Sequence, residues 1–334
     1  MGSGVAIFAR PLDRVRGHLN EMKKRKNKTL RNDRTDGKKR RIQSEASESR
    51  LLIEYAFDMA NRLKIPNIFV RTGELIDRRL IEKCRSTQTV FWLVPTGDAA
   101  KETATAANDK FVTIPSSTVG GLGELTIGLT SAVLQHKLPA DQTAICLTGI
   151  AGSKRLDNLV VVNPQRDIPW FRDHQMSTAS KRIASDEGIR LLEIALRFAA
   201  EGREGKPIGT IFLLGNPRIL RKYTRPLILN PLSGHPAAAR SIHNPEFHET
   251  MRELSAIDGA FVINTRGIVQ RAGVYLDAPI NRSTKVKDGL GSRHVAAAAI
   301  TANTNGVTFV ISESSGTVSV FADGACILEL DGRA

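Results

Sequence analysis

The sequence predicts an α/β protein in two parts: an α/β domain, then a mixed β-sheet domain surrounded by helices. Three observations carry that expectation. The chain has 334 residues, about twice the usual domain length. Hydrophobic residues make up 41% and charged residues 25%, the balance of a chain able to bury a core. Helix-like and strand-like segments alternate between residues 51 and 163, whereas strands dominate from residue 209 onward.

The first fifty residues carry Lys23 to Lys26 and Lys38 to Arg41, with almost nothing apolar between Leu30 and Leu51. Such a segment cannot offset its chain entropy by burial and reads as a disordered tail over 1–50. Of the net charge of +14, this tail holds 15 Lys and Arg against 6 Asp and Glu. Two readings stand: an electrostatic arm contacting nucleic acid or an anionic surface through residues 10–41, or a solubilising tail. No interleaved aromatics offer base stacking.

From Leu51 the apolar residues Leu52, Tyr55, Ala56 and Met59 mark a helix, followed by the strand Ile68 to Val70. Leu75 to Ile81 give a second helix and Val90 to Val94 a buried strand stopped by Pro95. The Ala-rich stretch 99–107, the strand Phe111 to Ile114, the helix Gly123 to Leu134 and strands at 144–148 and 159–162 complete a first domain over 51–163. Residues 164–177 lack periodicity and read as a linker. Ser177 to Ala200 reads as one long amphipathic helix, ended by Gly202. The remainder, within a domain over 178–330, offers strands at 209–214, 227–229, 259–263, 267–275, 307–311 and 318–321. One Ala-rich helix from about Arg293 to Ile300 interrupts them.

Several chemistries are excluded early. Apolar runs such as Val295 to Ile300 fall far short of the roughly 20 residues that cross a bilayer. Three widely spaced cysteines, Cys84, Cys146 and Cys326, and no secretory leader pattern point to a reducing cytoplasm. Neither C-x-x-C nor H-E-x-x-H occurs, so a zinc site is not expected. Gly120 to Gly123 lacks both the dinucleotide spacing and the P-loop lysine and reads as a tight turn before a helix.

Three short elements in the last third are more informative. Asp258-Gly259-Ala260 opens an apolar strand with a carboxylate beside a residue that lets a ligand approach the backbone; alone, it reads as an Asx turn. Gly289-Leu290-Gly291-Ser292-Arg293-His294 sets a hydroxyl, a cation and an imidazole at the mouth of a helix, a competent phosphate cradle. Ser312-Glu313-Ser314-Ser315-Gly316 follows a buried strand with hydroxyls and a carboxylate suited to phosphate and a hard divalent cation; alone, it reads as a hairpin.

In this order the three elements resemble the diadenylate cyclase domain, whose family condenses two ATP into cyclic di-AMP. The resemblance runs through Glu201 to Phe212 and Leu229-Asn230-Pro231 to Phe321, about residues 180–330. More loosely, Cys146-Leu147-Thr148-Gly149, Gly152-Ser153 and Leu159 to Val162 resemble the C-terminal domain of pyruvate kinase. Such a domain stands ahead of the cyclase in the archaeal-type members. One departure is Val295, where many members carry a further polar residue after Arg-His.

The resemblance implies an enzyme in which each protomer of a two-fold dimer binds one ATP, because one domain cannot close both bonds. It implies catalytic roles for Asp258, Arg293 and His294 and ATP contacts by Gly259, Ala260, Tyr275, Leu276, Gly289, Gly291, Ser292, Ser312 and Ser314. Mn²⁺ or Mg²⁺ would be held by Glu313, Asp258 and His294. The alternative reading is a catalytically silent sensor of ATP or cyclic di-AMP.

Overall fold

The computed structural model describes residues 46–72, 76–96, 108–116, 121–149, 155–173, 176–285 and 291–332. Two sheets organise them. The first contains β1 (Asn67–Arg71), β2 (Thr89–Pro95), β3 (Asp109–Ile114), β4 (Ala144–Thr148) and β5 (Asn158–Val162) in the order β3-β2-β1-β4-β5. The first four are parallel, and β5 returns antiparallel to β4. Helices α1 (46–63) and α2 (Arg78–Cys84) cover one face. There Ile53, Phe57 and Ile81 meet Ile68, Val90, Trp92 and Ile145. Helix α3 (Gly121–Leu134) covers the other, against Phe69, Phe91, Leu93 and Val112. Alternate residues of each strand thus feed two different cores, as the period of two requires.

Three sequence expectations change here. Helix α1 reaches back at least to residue 46, inside the segment read as tail. Ser49 is buried there and its hydroxyl accepts from the Leu156 N–H at 2.9 Å, while Glu48 pairs with Arg155 at 2.7 Å. These long-range partners supply what local composition lacked. Gly121 and Gly123 lie inside α3, not in a turn before it. A Cβ on Gly121 would sit 2.3 Å from the Gly149 carbonyl oxygen, so close helix–strand packing selects glycine. Finally, within 164–173 the chain folds into α4 (Pro164–Asp167) and α5 (Pro169–Asp173), and Trp170 and Phe171 are buried; 174 and 175 lie outside the described residues. The Ala-rich stretch 99–107, Gly120, Gly152-Ser153 and residues 1–45 lie outside the described residues.

The second sheet holds β6 (Thr210–Leu214), β7 (Thr224–Pro226), β8 (Ala260–Ile263), β9 (Val269–Leu276), β10 (Val307–Ile311), β11 (Thr317–Ala322) and β12 (Ala325–Asp331). Their order is β12-β11-β10-β6-β8-β9-β7, mixed through the parallel pair β6–β8. The expected long helix is three pieces: α6 (Thr178–Lys181), a 3₁₀ turn at Arg182–Ala184, and α7 (Asp186–Glu201). Ser185 breaks it, because its extended backbone lets the hydroxyl cap the Gly188 N–H at 3.1 Å. Helix α8 (Pro217–Leu220) and α9 (Pro245–Leu254) follow, each entered through an Asn-Pro cap, and α10 (Ser292–Asn303) is the Ala-rich helix. The strand expected at 227–229 is instead β7, three residues earlier. Leu229 is 95% exposed, so its apolar character reports nothing about burial.

Helices α7 and α9 pack on one face, where Phe212 meets Phe198 edge to face at 6.0 Å and Phe261 at a tilt at 5.4 Å. Helix α10 and Leu220 cover the other, over Ile211, Ala260, Val262, Val274 and Leu276. The alanines permit that close seating. The α7 core is continuous with the α3 face of the first sheet. Among the described residues no helix is long and apolar enough to cross a membrane.

Candidate active site

A groove of about 430 Å³ opens where β8 begins, β9 ends and α10 starts. Asp258, Gly259 and Ala260 form one wall, Tyr275 and Leu276 a second, and Ser292 and Arg293 a third. The α10 face of the second sheet therefore brings together two of the three sequence elements directly. Glu313 joins through Arg293, whose Nη1 donates to Glu313 Oε2 at 3.2 Å while Nη2 reaches Asp258 Oδ1 at 3.5 Å. One guanidinium fork thus spans two carboxylates that are 55 residues apart in the chain.

Backbone geometry explains the glycines. Gly259 has φ +115°, and a Cβ there would lie 2.7 Å from the Val274 N and 2.9 Å from the Gly273 carbonyl carbon. No side chain fits, so the chain passes against β9 and leaves the groove open. Gly291 precedes α10 in extended conformation, with no side chain capping the helix. Its Cβ position is open space. Ser292 and Arg293 line the groove at the N-terminus of α10, whose positive dipole end suits an anion. Gly289 and Leu290 lie outside the described residues.

His294 is placed differently from the expectation. Its ring is buried beneath α10, 6.0 Å from the Phe321 ring, with Nε2 3.5 Å from the Ser319 hydroxyl. Its Nδ1 is buried with no hydrogen-bond partner among the described residues. Burial pushes the imidazole below its usual range, with Glu329 opposing and Arg293 adding to the shift. Two residues after Ser292 on a helix, a side chain turns about 200° away, so His294 faces the core and not the groove. In this structure His294 packs into the core and is not among the groove-lining residues, unlike Asp258 and Arg293.

Ser312 and Ser314 stand on the turn after β10, hydroxyls 3.3 Å apart, beside Glu313 and outside the groove lining. Tyr275 is 44% exposed with the Arg225 guanidinium 4.4 Å over its ring. For a divalent cation, the fit is partial. Asp258 and Glu313 are hard oxygen donors, held here on the two sides of the Arg293 guanidinium, and no group of three metal-ligating side chains forms among the described residues. Nucleotide oxygens would have to complete the shell.

Sequence reasoning missed Gly209, Ile211, Leu227, Val274 and Ala296. The last four line the groove, and a Cβ on Gly209 would meet Arg293 Nη1 at 2.6 Å and Glu313 Cβ at 2.8 Å. Gly209 preserves the Arg293–Glu313 contact. Its position at the head of an apolar strand was the only local signal.

Residues 197–326 match the family model described as DisA bacterial checkpoint controller nucleotide-binding. The diadenylate cyclase of Methanocaldococcus jannaschii is 37% identical over 211 residues, covering 63% of this chain and 67% of that protein. The diadenylate cyclase of Haloferax volcanii is 31% identical over 242 residues, covering 72% and 87%. A pyruvate kinase structure from Cryptosporidium parvum aligns at 17% identity and TM-score 0.29, covering 34% of this chain and 22% of that one.

Proposed function

The chain belongs to the diadenylate cyclase family, and from that premise we propose that it condenses two ATP into cyclic di-AMP and two pyrophosphates. The observation that carries this reading is the convergence of Asp258, Gly259, Ser292 and Arg293 on one groove, with Glu313 tied to it through Arg293.

Nucleotidyl transfer asks the protein chiefly for positioning and charge stabilisation. The apolar wall of Ile211, Leu227 and Leu276 suits the adenine, with Tyr275 at its rim. Gly259, lacking a side chain, lets the ribose lie against the backbone. Ser292, Arg293 and the α10 N-terminus hold the phosphates, and Ser312 and Ser314 reach their outer oxygens. Each ribose 3′-hydroxyl then attacks the α-phosphorus of the facing protomer's ATP. An O–P bond forms, the bond to the β-phosphate oxygen breaks, and pyrophosphate leaves. Asp258 takes the hydroxyl proton. Arg293, bound to two carboxylates here, exchanges them for phosphate oxygens. Asp258 and Glu313 would hold Mn²⁺ or Mg²⁺ together with those oxygens; when bound, the ion neutralises phosphate charge and stabilises the leaving pyrophosphate.

Two protomers facing each other are required by this chemistry. The same proposal includes a pyruvate kinase-like domain over 51–163, a cyclase domain over 178–330, and a cytoplasmic setting. The test is incubation with ATP and Mn²⁺ or Mg²⁺, with chromatography for cyclic di-AMP. Product from the wild-type chain and none from Asp258→Asn supports the reading. ATP binding without product under either metal replaces the enzyme with a nucleotide sensor.

A further inference from the structure

A second pocket, of about 230 Å³, lies on the same α10-side face of the second sheet. Val262 forms its floor, and Arg218, Arg221 and Arg271 project into it with Thr224 and Gln270 between them. No carboxylate lines it. Among the described residues these three arginines have no ion pair, and unlike Arg240, which donates to the His235 and Val269 carbonyls, they share one concavity.

Three like charges around one concavity repel one another unless an anion sits between them. A guanidinium fork matches two oxygens of a phosphate, and three forks match the several oxygens of a condensed phosphate. The polar neighbours are partly engaged: the Thr224 hydroxyl donates its one proton to the Leu220 carbonyl at 3.0 Å, and the Gln270 amide donates to the Ile268 carbonyl at 3.2 Å. The charged donors of the pocket are the arginines themselves. Its volume falls below the roughly 300 Å³ at which pockets begin to hold drug-sized molecules, and it is concave where a nucleic-acid track would be an extended stripe. We propose that Arg218, Arg221 and Arg271 form a second anion site, separate from the nucleotide groove, that takes a small phosphoanion of the pyrophosphate class. Its construction does not depend on the reaction assigned to the groove.

The test is equilibrium dialysis of labelled pyrophosphate against the full-length chain carrying Arg293→Ala, which removes the competing phosphate contact in the groove. Saturable binding of one equivalent is expected. Adding Arg218→Gln, Arg221→Gln and Arg271→Gln should weaken it at least ten-fold at an unchanged melting temperature. Should that combination fail to fold, Arg271→Lys keeps the charge but not the fork and should still weaken binding several-fold. Absence of saturable binding at millimolar pyrophosphate, or affinity unchanged in the variants, overturns the proposal. So does a single-stranded oligonucleotide that binds through these arginines while pyrophosphate does not.

Discussion

At the residue scale, the site depends on positions where no alternative side chain fits. Gly259→Ala places a Cβ within 2.7 Å of the β9 backbone at φ +115°. A backbone strain of about 1–3 kcal/mol is expected, read as a lower denaturation midpoint alongside loss of cyclic di-AMP formation. Gly291→Ala is the contrast, since its Cβ meets nothing and stability should stay within about 0.5 kcal/mol. Gly209→Ala should displace Arg293 from Glu313 and reduce turnover while leaving the fold intact, checked by product assay beside circular dichroism.

His294 supplies a pH test. Its folded-state pKa is held down by burial, so below about pH 6.5, where a free imidazole protonates, the unfolded chain binds more protons than the folded one. Stability is then fully present above that pH and is lost as pH falls toward the folded value. In His294→Gln the decline of melting temperature between about pH 6.5 and 5 should flatten; an unchanged slope would assign the acid sensitivity elsewhere. His248, also buried and also shifted down by desolvation, contributes in the same direction.

At the element scale, caps and close contacts set where helices begin. Ser185 ends one helical piece and starts another, and a Cβ on Gly188 would lie 2.1 Å from the Arg182 carbonyl oxygen. Gly188→Ala must therefore push the 3₁₀ turn away from α7, with an expected cost of about 1–3 kcal/mol, measured by chemical denaturation. The cap signals at Asn216-Pro217 and Asn244-Pro245 were present in the sequence, yet α8 and α9 stood unassigned there because short apolar patterns do not separate helix from loop. Strand β12 was missed likewise: Ala325 to Asp331 alternates weakly, and its pairing with β11 carries a register shift at Val320/Phe321.

For the whole molecule, the core is shared. Side chains of α3, α5, α7 and the second sheet form one buried cluster. Glu193 of α7 accepts hydrogen bonds from Thr96 at 2.9 Å and from Ser116 at the carboxyl ends of β2 and β3. Burial of that carboxylate is outweighed by these bonds and by Arg190, which together hold it below the usual range. Calorimetry should accordingly show a single cooperative transition; two well-separated transitions would mean that the halves unfold independently. Deleting residues 1–45 is expected to abolish any salt-sensitive retention on DNA while sparing that transition.

The sequence by itself determined the α/β class, most strand positions, the +14 charge and the three elements of the site, because hydrophobic period and residue chemistry are local properties. Only the tertiary structure decided that Asp258 and Glu313 share Arg293, that Gly209 makes room for that contact, and that His294 turns inward while its neighbour Arg293 turns out. Those outcomes depend on strand order and helix seating. The Arg293 contacts, with partners 20 and 35 positions away in the chain, are fixed by how β6, β8 and β10 lie side by side under α10, and no local pattern encodes that arrangement.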